Sequence, residues 1–190
     1  MAAVQTAQRM TAEEFMALSV EPGDSRTYEL VEGELVVNSP RYLHADVQRG
    51  LLLALVEWER VALQPGRVIL PLDTHLDEAN VFVPDLLWYR DGRVPEREDL
   101  SPYPLPDIAV EIRSPSTWRY DIGAKKSAYE RHSLPELWLV DTAACEVLVF
   151  RRSRPKTTSF DVALELGRGH VLESPLLQGF SLPVADLYPE

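Results

Sequence analysis

The sequence predicts an α/β (α+β) fold in which helices flank a mixed β-sheet. Short apolar segments typical of strands alternate with two segments whose apolar residues recur at helical spacing. This interleaving is typical of a sheet covered by helices. The chain has 190 residues, so we expect one domain over residues 1–190 with a sizeable core.

Composition and charge restrict the classes of protein that fit this sequence. Apolar residues make up 45% and charged residues 26%, which is ordinary for a soluble globular protein. No apolar run approaches a membrane span, and the N-terminus lacks a signal pattern, so we expect a cytoplasmic protein without a membrane partner. The lone Cys145 excludes an intramolecular disulfide framework. A net charge of −11 gives the chain no long-range attraction to nucleic acid. A nucleic-acid-binding site would therefore need a local basic patch or a groove between two subunits.

The first half of the chain contains three predicted elements. Thr11 and Glu14 form a capping-box pattern, which indicates that a short helix begins there. Residues 28–31 and 34–37 flank a Glu-Gly pair and predict a hairpin. The longest helix is predicted over residues 42–63, where the apolar positions recur at helical spacing.

The second half contains most of the predicted strands. A second helix is predicted over residues 122–132, and the tail from residue 160 suggests one or two further strands. The predicted strands are residues 68–70, 81–89, 108–112, 137–140 and 147–150.

Asp85 is the first candidate site residue. In the predicted strand 81–89, alternation places it on one face with Val83 and Leu87, and both faces of the strand are apolar. A carboxylate in such a strand needs a partner. An arginine or backbone amides would satisfy it as well as a cation would, and the strand alone does not decide between them.

Glu111 is the second candidate. Alternation places Ile108, Val110 and Ile112 toward a core, and Glu111 with Arg113 on the opposite face. A half-exposed edge strand would explain this pattern. The predicted helix that follows favours burial instead, because that helix is expected to cover the sheet.

Lys125 is the third candidate. On the second helix, Ile122, Lys125 and Tyr129 share one face, so Lys125 points inward unless its side chain extends along the surface to water. Asp121 is predicted to be the N-cap of this helix.

Two acids and an inward lysine are suited to phosphate chemistry. Carboxylate oxygens are ligands that Mg²⁺ or Mn²⁺ prefers. Such a metal polarises a phosphate and lowers the pKa of a bound water. A nearby lysine can orient that water and offset the developing negative charge.

The order of motifs around these residues resembles the Uma-two family, a family of predicted endonucleases in the PD-(D/E)xK restriction-endonuclease-like superfamily. The resemblance spans roughly residues 11–150. The motifs that carry it are Tyr28-Glu29-Leu30-Val31-Glu32-Gly33-Glu34-Leu35, His44, Val83-Pro84-Asp85, Glu111-Ile112-Arg113-Ser114-Pro115-Ser116, Asp121 with Lys125 and Tyr129, and Pro135-Glu136-Leu137-Trp138-Leu139-Val140-Asp141.

The resemblance implies a restriction-endonuclease-like mixed sheet and a Mg²⁺-dependent endonuclease that cleaves nucleic acid, with DNA as the expected substrate. Asp85 would be the aspartate of the PD motif and Glu111 the acid of the (D/E)xK motif. The backbone carbonyl of Ile112 would be a further metal ligand, and Glu34 would be the additional upstream acid.

One position departs from the superfamily pattern. The residue two positions after Glu111 is Arg113 rather than lysine, and Lys125 resembles the displaced lysine of this family. Arginine stays protonated, so Arg113 is expected to contact phosphate and cannot serve as a base. His44 and Tyr129 are possible accessory residues, with His44 interpreted first as a structural hydrogen-bonding residue.

Other interpretations stay open. One is a metal-dependent hydrolase of a smaller phosphate ester, because the fold does not fix the substrate. Arg113 and the acidic net charge fit a catalytically silent binding or assembly module with a nuclease-like fold. The alternating Asp73, His75 and Asp77 would suit a second metal site, although a polar loop edge is the simpler interpretation. A homodimer is also expected, because two-fold dimers are the commonest oligomers and a nuclease that cuts a duplex benefits from two sites.

Overall fold

A six-stranded, a four-stranded and a two-stranded sheet (β11 with β12, Val171–Leu172 and Leu182–Pro183), with helices packed around them, form the part of the chain that the structure describes. The structure is a computed structural model that describes residues 9–19, 24–63 and 66–188. The expectation of no signal peptide rests on residues 1–9, of which residues 1–8 lie outside these ranges.

The first half of the chain runs from α1 to β6. Its elements are α1 (Ala12–Met16), β1 (Thr27–Val31), β2 (Glu34–Asn38), α2 (Tyr42–Glu59), β3 (Arg67–Ile69), β4 (Thr74–Asp77), β5 (Asn80–Phe82) and β6 (Leu86–Tyr89).

The second half adds the remaining strands and the second helical segment. Its elements are β7 (Ile108–Ile112), α3 (Trp118–Tyr120), a π-helical turn (Asp121–Lys125), α4 (Lys126–Arg131), β8 (Glu136–Asp141), β9 (Glu146–Arg151), β10 (Val162–Gly167), β11 (Val171–Leu172), β12 (Leu182–Pro183) and a 3₁₀ turn (Val184–Leu187).

The larger sheet is mixed, as predicted. Its strand order is β10-β9-β8-β7-β6-β3, and β7 pairs with β8 in parallel while the other pairs are antiparallel. Parallel neighbours need a crossover connection, and the segment from α3 through α4 supplies it. The smaller sheet has the antiparallel order β2-β1-β5-β4.

The capping box and the hairpin predicted near the N-terminus are both present, because each depends only on residues close together in the chain. Thr11 and Glu14 form the predicted capping box at the start of α1. The predicted hairpin is present between β1 and β2, and its turn residues Glu32 and Gly33 have φ of 51° and 78°. Two positive φ values are typical of the type I′ turn that joins twisted antiparallel strands.

The predicted strand over residues 81–89 is wrong, because the chain leaves one sheet and enters the other there. β5 ends at Phe82 in the four-stranded sheet, and β6 starts at Leu86 in the six-stranded sheet. Pro84 has no N–H for a ladder hydrogen bond, which favours a break at this position. The alternation that placed Asp85 on a strand face therefore does not apply, and Asp85 lies at the crossing between the sheets.

Each face of the six-stranded sheet packs on its own core. Helix α2 covers one face, and Ile108, Val110 and Ile112 of β7 point into that core, as predicted. Ala109 points into the second core with Ala128 of α4. The predicted coverage of the Glu111 face is confirmed, because Glu111 is only 3% exposed.

Both long helices differ from the prediction at their ends. α2 ends at Glu59 rather than near residue 63, and the second helical segment begins at Trp118, four residues before the predicted start. Among the helices in the described ranges, including the 18-residue α2, none is both long and apolar enough to cross a bilayer.

Truncation of Leu51 should destabilise the fold strongly. Leu51 is fully buried in the core under α2, so Leu51→Ala should lower the free energy of unfolding by about 2–5 kcal/mol. Chemical denaturation will measure the loss. Leu53→Ala, two positions along the same helix at a side chain that is 47% exposed, is the control and should change it by about 0.5 kcal/mol or less. Equal losses in both variants would contradict this packing.

Candidate active site

A buried ammonium group stands among three carboxylates. Lys125 is 1% exposed, and its Nζ lies 2.7 Å from Glu111 Oε2, 2.8 Å from Glu29 Oε1 and 3.2 Å from Asp121 Oδ1. We call Glu29, Glu111, Asp121 and Lys125 the acid–lysine cluster. The inward orientation predicted for Lys125 is confirmed, and its side chain does not extend to water.

The π-helical turn places the two residues that the helix contributes. Asp121 and Lys125 are its first and last residues, and they form an ion pair across it. The prediction that Asp121 caps the helix is wrong. The helical segment begins after Thr117, so Asp121 lies inside it and is 4% exposed. π-helical turns of this kind occur frequently at functional sites.

Glu29 joins the cluster, and Glu34 does not. Glu29 lies on β1, and its Oε1 accepts hydrogen bonds from Lys125 Nζ and from the Val83 N–H, both at 2.8 Å. Glu34 is exposed on β2, where its Oε1 accepts a hydrogen bond from the Tyr120 hydroxyl. Glu29 is therefore the acid of this hairpin that reaches Lys125, and the metal-ligand role expected of Glu34 stays a prediction. A glutamate within an apolar strand was the available signal.

Both oxygens of Glu111 are engaged by the following helical segment. Tyr129 donates its hydroxyl to Oε1 at 2.6 Å, and Lys125 contacts Oε2. The Phe82 ring packs edge-on against Tyr129, with a centroid separation of 5.2 Å, and lies 5.5 Å from Lys125 Nζ. Tyr129, predicted as an accessory residue, thus fixes the orientation of Glu111.

Burial and an excess of negative charge in the cluster raise the pKa values of Glu111 and Asp121. Burial raises the pKa of Glu111 well above its ordinary value. Attraction by Lys125 lowers this pKa, but burial together with repulsion from Glu29, Asp121 and Asp85 outweighs that attraction. Burial likewise raises the pKa of Asp121 from 3.8 to about 6. For Lys125, burial alone would lower the pKa, but the three carboxylates outweigh it and the pKa lies well above its ordinary range.

The raised pKa values of these carboxyl groups make the stability of the fold depend on pH. A carboxyl group whose pKa is raised in the folded state holds a proton that the unfolded chain has lost. For Asp121 this difference exists between pH 3.8 and about 6, so its contribution to stability falls as the pH rises through that window.

Asp85 lies beside the cluster and is held from several sides. Its Oδ2 accepts a hydrogen bond from the Ile112 N–H at 2.6 Å, and its N–H donates to the Val110 carbonyl. Gln48 of α2 donates to the Asp85 carbonyl at 2.8 Å, and His44 Nε2 lies 3.1 Å from Oδ1. A backbone amide thus satisfies one carboxylate oxygen, and no arginine pairs with Asp85 in the described residues.

Arg113 is engaged by Asp141 rather than by the cluster. Its Nη1 donates to both carboxylate oxygens of Asp141 at 2.8 Å, and its guanidinium lies over the Trp118 ring. Burial opposes ionisation of Asp141, but the bonds from Arg113 outweigh it and lower the Asp141 pKa. The predicted phosphate contact of Arg113 stays a prediction, and it would have to compete with this pair.

Within residues 9–19, 24–63 and 66–188, no three His, Cys, Asp or Glu side chains are arranged to hold a metal ion together. The second metal site considered at Asp73, His75 and Asp77 is therefore not formed there. Asp77 pairs instead with His132, and Asp73 accepts a hydrogen bond from Ser101.

Comparison with known proteins assigns the family. The profile of the Uma2 family, described as "Putative restriction endonuclease", matches residues 12–185. The chain belongs to the Uma2 family. Recognition of this family from the motifs is confirmed, and no curated protein matches this Uma2 chain.

A solved structure shares the fold of this Uma2 chain. It is a crystal structure of a putative nuclease belonging to DUF820 from Anabaena variabilis, with a TM-score of 0.74 and 20% sequence identity. The similarity covers 94% of this chain and 97% of that chain. The predicted nuclease-like fold, a mixed sheet flanked by helices, is confirmed.

Removal of the Lys125 charge should destabilise this Uma2 protein in a pH-dependent way. Lys125→Met leaves three buried carboxylates without their cation, so the free energy of unfolding at pH 7.5 should fall by about 3–5 kcal/mol. The deficit should shrink as the pH is lowered to 5, because Glu111 and Asp121 take up protons. Denaturant titrations at several pH values will measure it.

Lys126→Met is the matched control. Lys126 is the next residue and lies over the Phe150 ring, with Nζ 4.5 Å from the ring centroid. Its removal should change stability by about 1 kcal/mol or less, with no marked pH dependence. A deficit for Lys125→Met that stays constant from pH 5 to 7.5 would contradict the proposed charge balance.

Proposed function

We propose that this Uma2 protein is a metal-dependent endonuclease that hydrolyses phosphodiester bonds in nucleic acid, with DNA as the expected substrate. One observation carries the proposal. Three acids of the acid–lysine cluster surround a single ammonium group in a buried region, and Asp85 lies close enough to raise the pKa of Glu111 by repulsion. A divalent cation would neutralise the remaining negative charge, and a surplus of this kind is typical of functional sites.

The proposed metal ligands are Asp85, Glu111 and the backbone carbonyl of Ile112. The donor chemistry fits Mg²⁺ or Mn²⁺, since these ions prefer oxygen ligands and often take only one or two carboxylates from the protein. Asp85 supports this choice, because its Oδ2 is fixed by a backbone amide while its side chain remains 16% exposed. When bound, the metal would polarise a phosphate and supply an activated water.

Lys125 would act as a fixed positive charge. Its raised pKa keeps it protonated at neutral pH, so it cannot serve as a general base there. A buried ammonium beside the reacting phosphate would instead stabilise the charge that develops on the phosphoryl oxygens and orient the attacking water. Glu29 and Asp121 would position Lys125, and Tyr129 would position Glu111.

The helical segment that carries Lys125 also offers a surface for nucleic acid. Arg119 is exposed and lies over the Tyr120 ring, and Lys126 lies over the Phe150 ring. Cations beside aromatic rings can contact phosphates and stack on bases. These two cations would supply local positive charge on a chain whose net charge is −11. A homodimer, which would present two such surfaces, and a cytoplasmic location remain predictions.

Cleavage assays test the proposed activity. Labelled DNA and RNA, single-stranded and duplex, are incubated with Mg²⁺ or Mn²⁺ and with wild type, Asp85→Asn or Glu111→Gln. We expect metal-dependent cleavage by wild type and a loss of about 100-fold or more in each variant, because each removes a proposed ligand. Asp91→Asn, at an exposed residue of the loop after β6, is the matched control and should cleave like wild type.

Two results would overturn the activity. One is the absence of cleavage with either metal on all four substrates. The other is cleavage that survives in both site variants while Asp91→Asn behaves identically, which would indicate a contaminating nuclease.

A second candidate function is a catalytically silent binding or assembly module. Two observations favour it. Lys125 already pairs with three carboxylates and Arg113 pairs with Asp141, so neither cation is free to contact a phosphate. Calorimetric titration with Mn²⁺ separates the two candidates. The nuclease should bind Mn²⁺ with an affinity that falls in Asp85→Asn, whereas the silent module should show no binding heat.

A further inference from the structure

Arg113 is held at the end of β7 by one carboxylate and one aromatic ring. Its Nη1 donates to both oxygens of Asp141 at 2.8 Å, and its guanidinium carbon lies 5.6 Å from the centre of the Trp118 ring. Within the described residues, every side-chain hydrogen bond of Arg113 leaves from Nη1. The pair therefore lacks the parallel two-nitrogen contact, which is the stronger arrangement between a guanidinium and an anion.

Asp141 has further partners that do not depend on Arg113. Its Oδ1 accepts hydrogen bonds from the N–H groups of Ala143 at 2.8 Å and Ala144 at 3.1 Å, and its side chain is 10% exposed. Removing one member of a buried ion pair is strongly destabilising when it leaves the other charge without a partner. Asp141 would not be left in that state, so this ion pair can open without a large loss of stability.

Trp118 limits how far the guanidinium can move when the ion pair opens. Its ring is half-buried and packs against the core between the six-stranded sheet and α4. A cation over an aromatic ring is attracted to it whether or not a carboxylate is also bound. Arg113, whose side chain is 31% exposed, can therefore exchange one anion for another while it stays beside the ring.

The position of Arg113 separates its anion from one bound at Glu111. Arg113 continues the ladder of β7, because its N–H donates to the Val140 carbonyl at 2.9 Å. Two residues of extended strand span about 7 Å, and their side chains lie on the same side of the sheet. An anion on Arg113 would therefore be a neighbour of the anion at Glu111 and not the same group.

We propose that Arg113 binds a phosphate next to the one that is cleaved, and that this phosphate displaces Asp141 from the guanidinium. The inference rests on the proposed function and deepens it, because a substrate with several linked phosphates reaches both positions and a smaller phosphate ester does not. A phosphate can accept the parallel two-nitrogen contact that Asp141 does not make. Asp141 is thus an internal competitor for the substrate.

Binding without metal tests this exchange apart from cleavage. Fluorescence anisotropy follows a labelled DNA or RNA oligonucleotide in EDTA, which prevents metal-dependent cleavage. Arg113→Gln should weaken binding about tenfold and reduce the slope of log affinity against log salt by about one, because one phosphate contact is lost. Asp141→Asn should strengthen binding about three- to tenfold, because the competing charge is lost. Its amide oxygen can still accept from Ala143 and Ala144.

The double variant distinguishes exchange from a general change of charge. If Asp141 acts through Arg113, the combination Arg113→Gln with Asp141→Asn should bind like Arg113→Gln alone. A gain from Asp141→Asn that persists without Arg113 would overturn the proposal, because Asp141 would then act only by repelling nucleic acid.

A second ion pair in the chain supplies matched controls. Arg26 pairs with Asp24 at 2.6 Å, and its guanidinium carbon lies 5.5 Å from the centre of the Tyr28 ring. Arg26→Gln and Asp24→Asn therefore repeat the same changes of charge at another place. Each should leave the affinity within about twofold of wild type.

The outcomes separate this inference from the proposed function. Weaker or unchanged binding in Asp141→Asn overturns the exchange, as does the absence of binding by wild type, and metal-dependent cleavage remains testable by the assays above. The predicted changes in binding without any cleavage would overturn the nuclease and support the role of Arg113. The gain expected for Asp141→Asn keeps the test decisive if Arg113→Gln fails to fold, because a damaged fold would not strengthen binding.

Discussion

The burial of the Lys125 ammonium among three carboxylates ties together elements that are distant in the chain. Glu29 comes from β1 of the smaller sheet, Glu111 from β7 of the larger sheet, and Asp121 from the π-helical turn. A buried ammonium requires such partners, since its desolvation is costly without them. The contacts therefore fix how the two sheets and the second helical segment meet, and they place Asp85 where the chain crosses between the sheets.

The same charge balance links stability to function. Three carboxylates and one ammonium leave negative charge in a region with little water, which raises the pKa values of Glu111 and Asp121. A fold optimised for stability alone would not need this surplus. A cation site does need surplus negative charge, so the raised pKa values of Glu111 and Asp121 support the proposed metal-dependent role.

Residues whose neighbours are set by local periodicity were predicted well. Alternation placed Glu111 opposite Ile108, Val110 and Ile112, and those three side chains do lie in the α2 core. Helical spacing placed Ile122, Lys125 and Tyr129 on one inward face; Lys125 and Tyr129 are buried, whereas Ile122, inside the π-helical turn, is 47% exposed. Regular strands and helices repeat their geometry residue by residue, so a face can be inferred from a short segment without knowledge of the rest of the fold.

The sequence by itself determined the family, the mixed sheet, the buried Glu111 and the inward Lys125. Only the tertiary structure decided that Glu29 rather than Glu34 joins Lys125, that Asp85 lies at a crossing between sheets, and that His44 lies beside Asp85. The physical reason is separation along the chain. Lys125 and Glu29 are 96 positions apart, and β1 reaches the site because it lies inside its sheet while β2 forms the edge. The local sequence does not predict which strand of a hairpin becomes central, because that depends on pairing with a third strand, here β5.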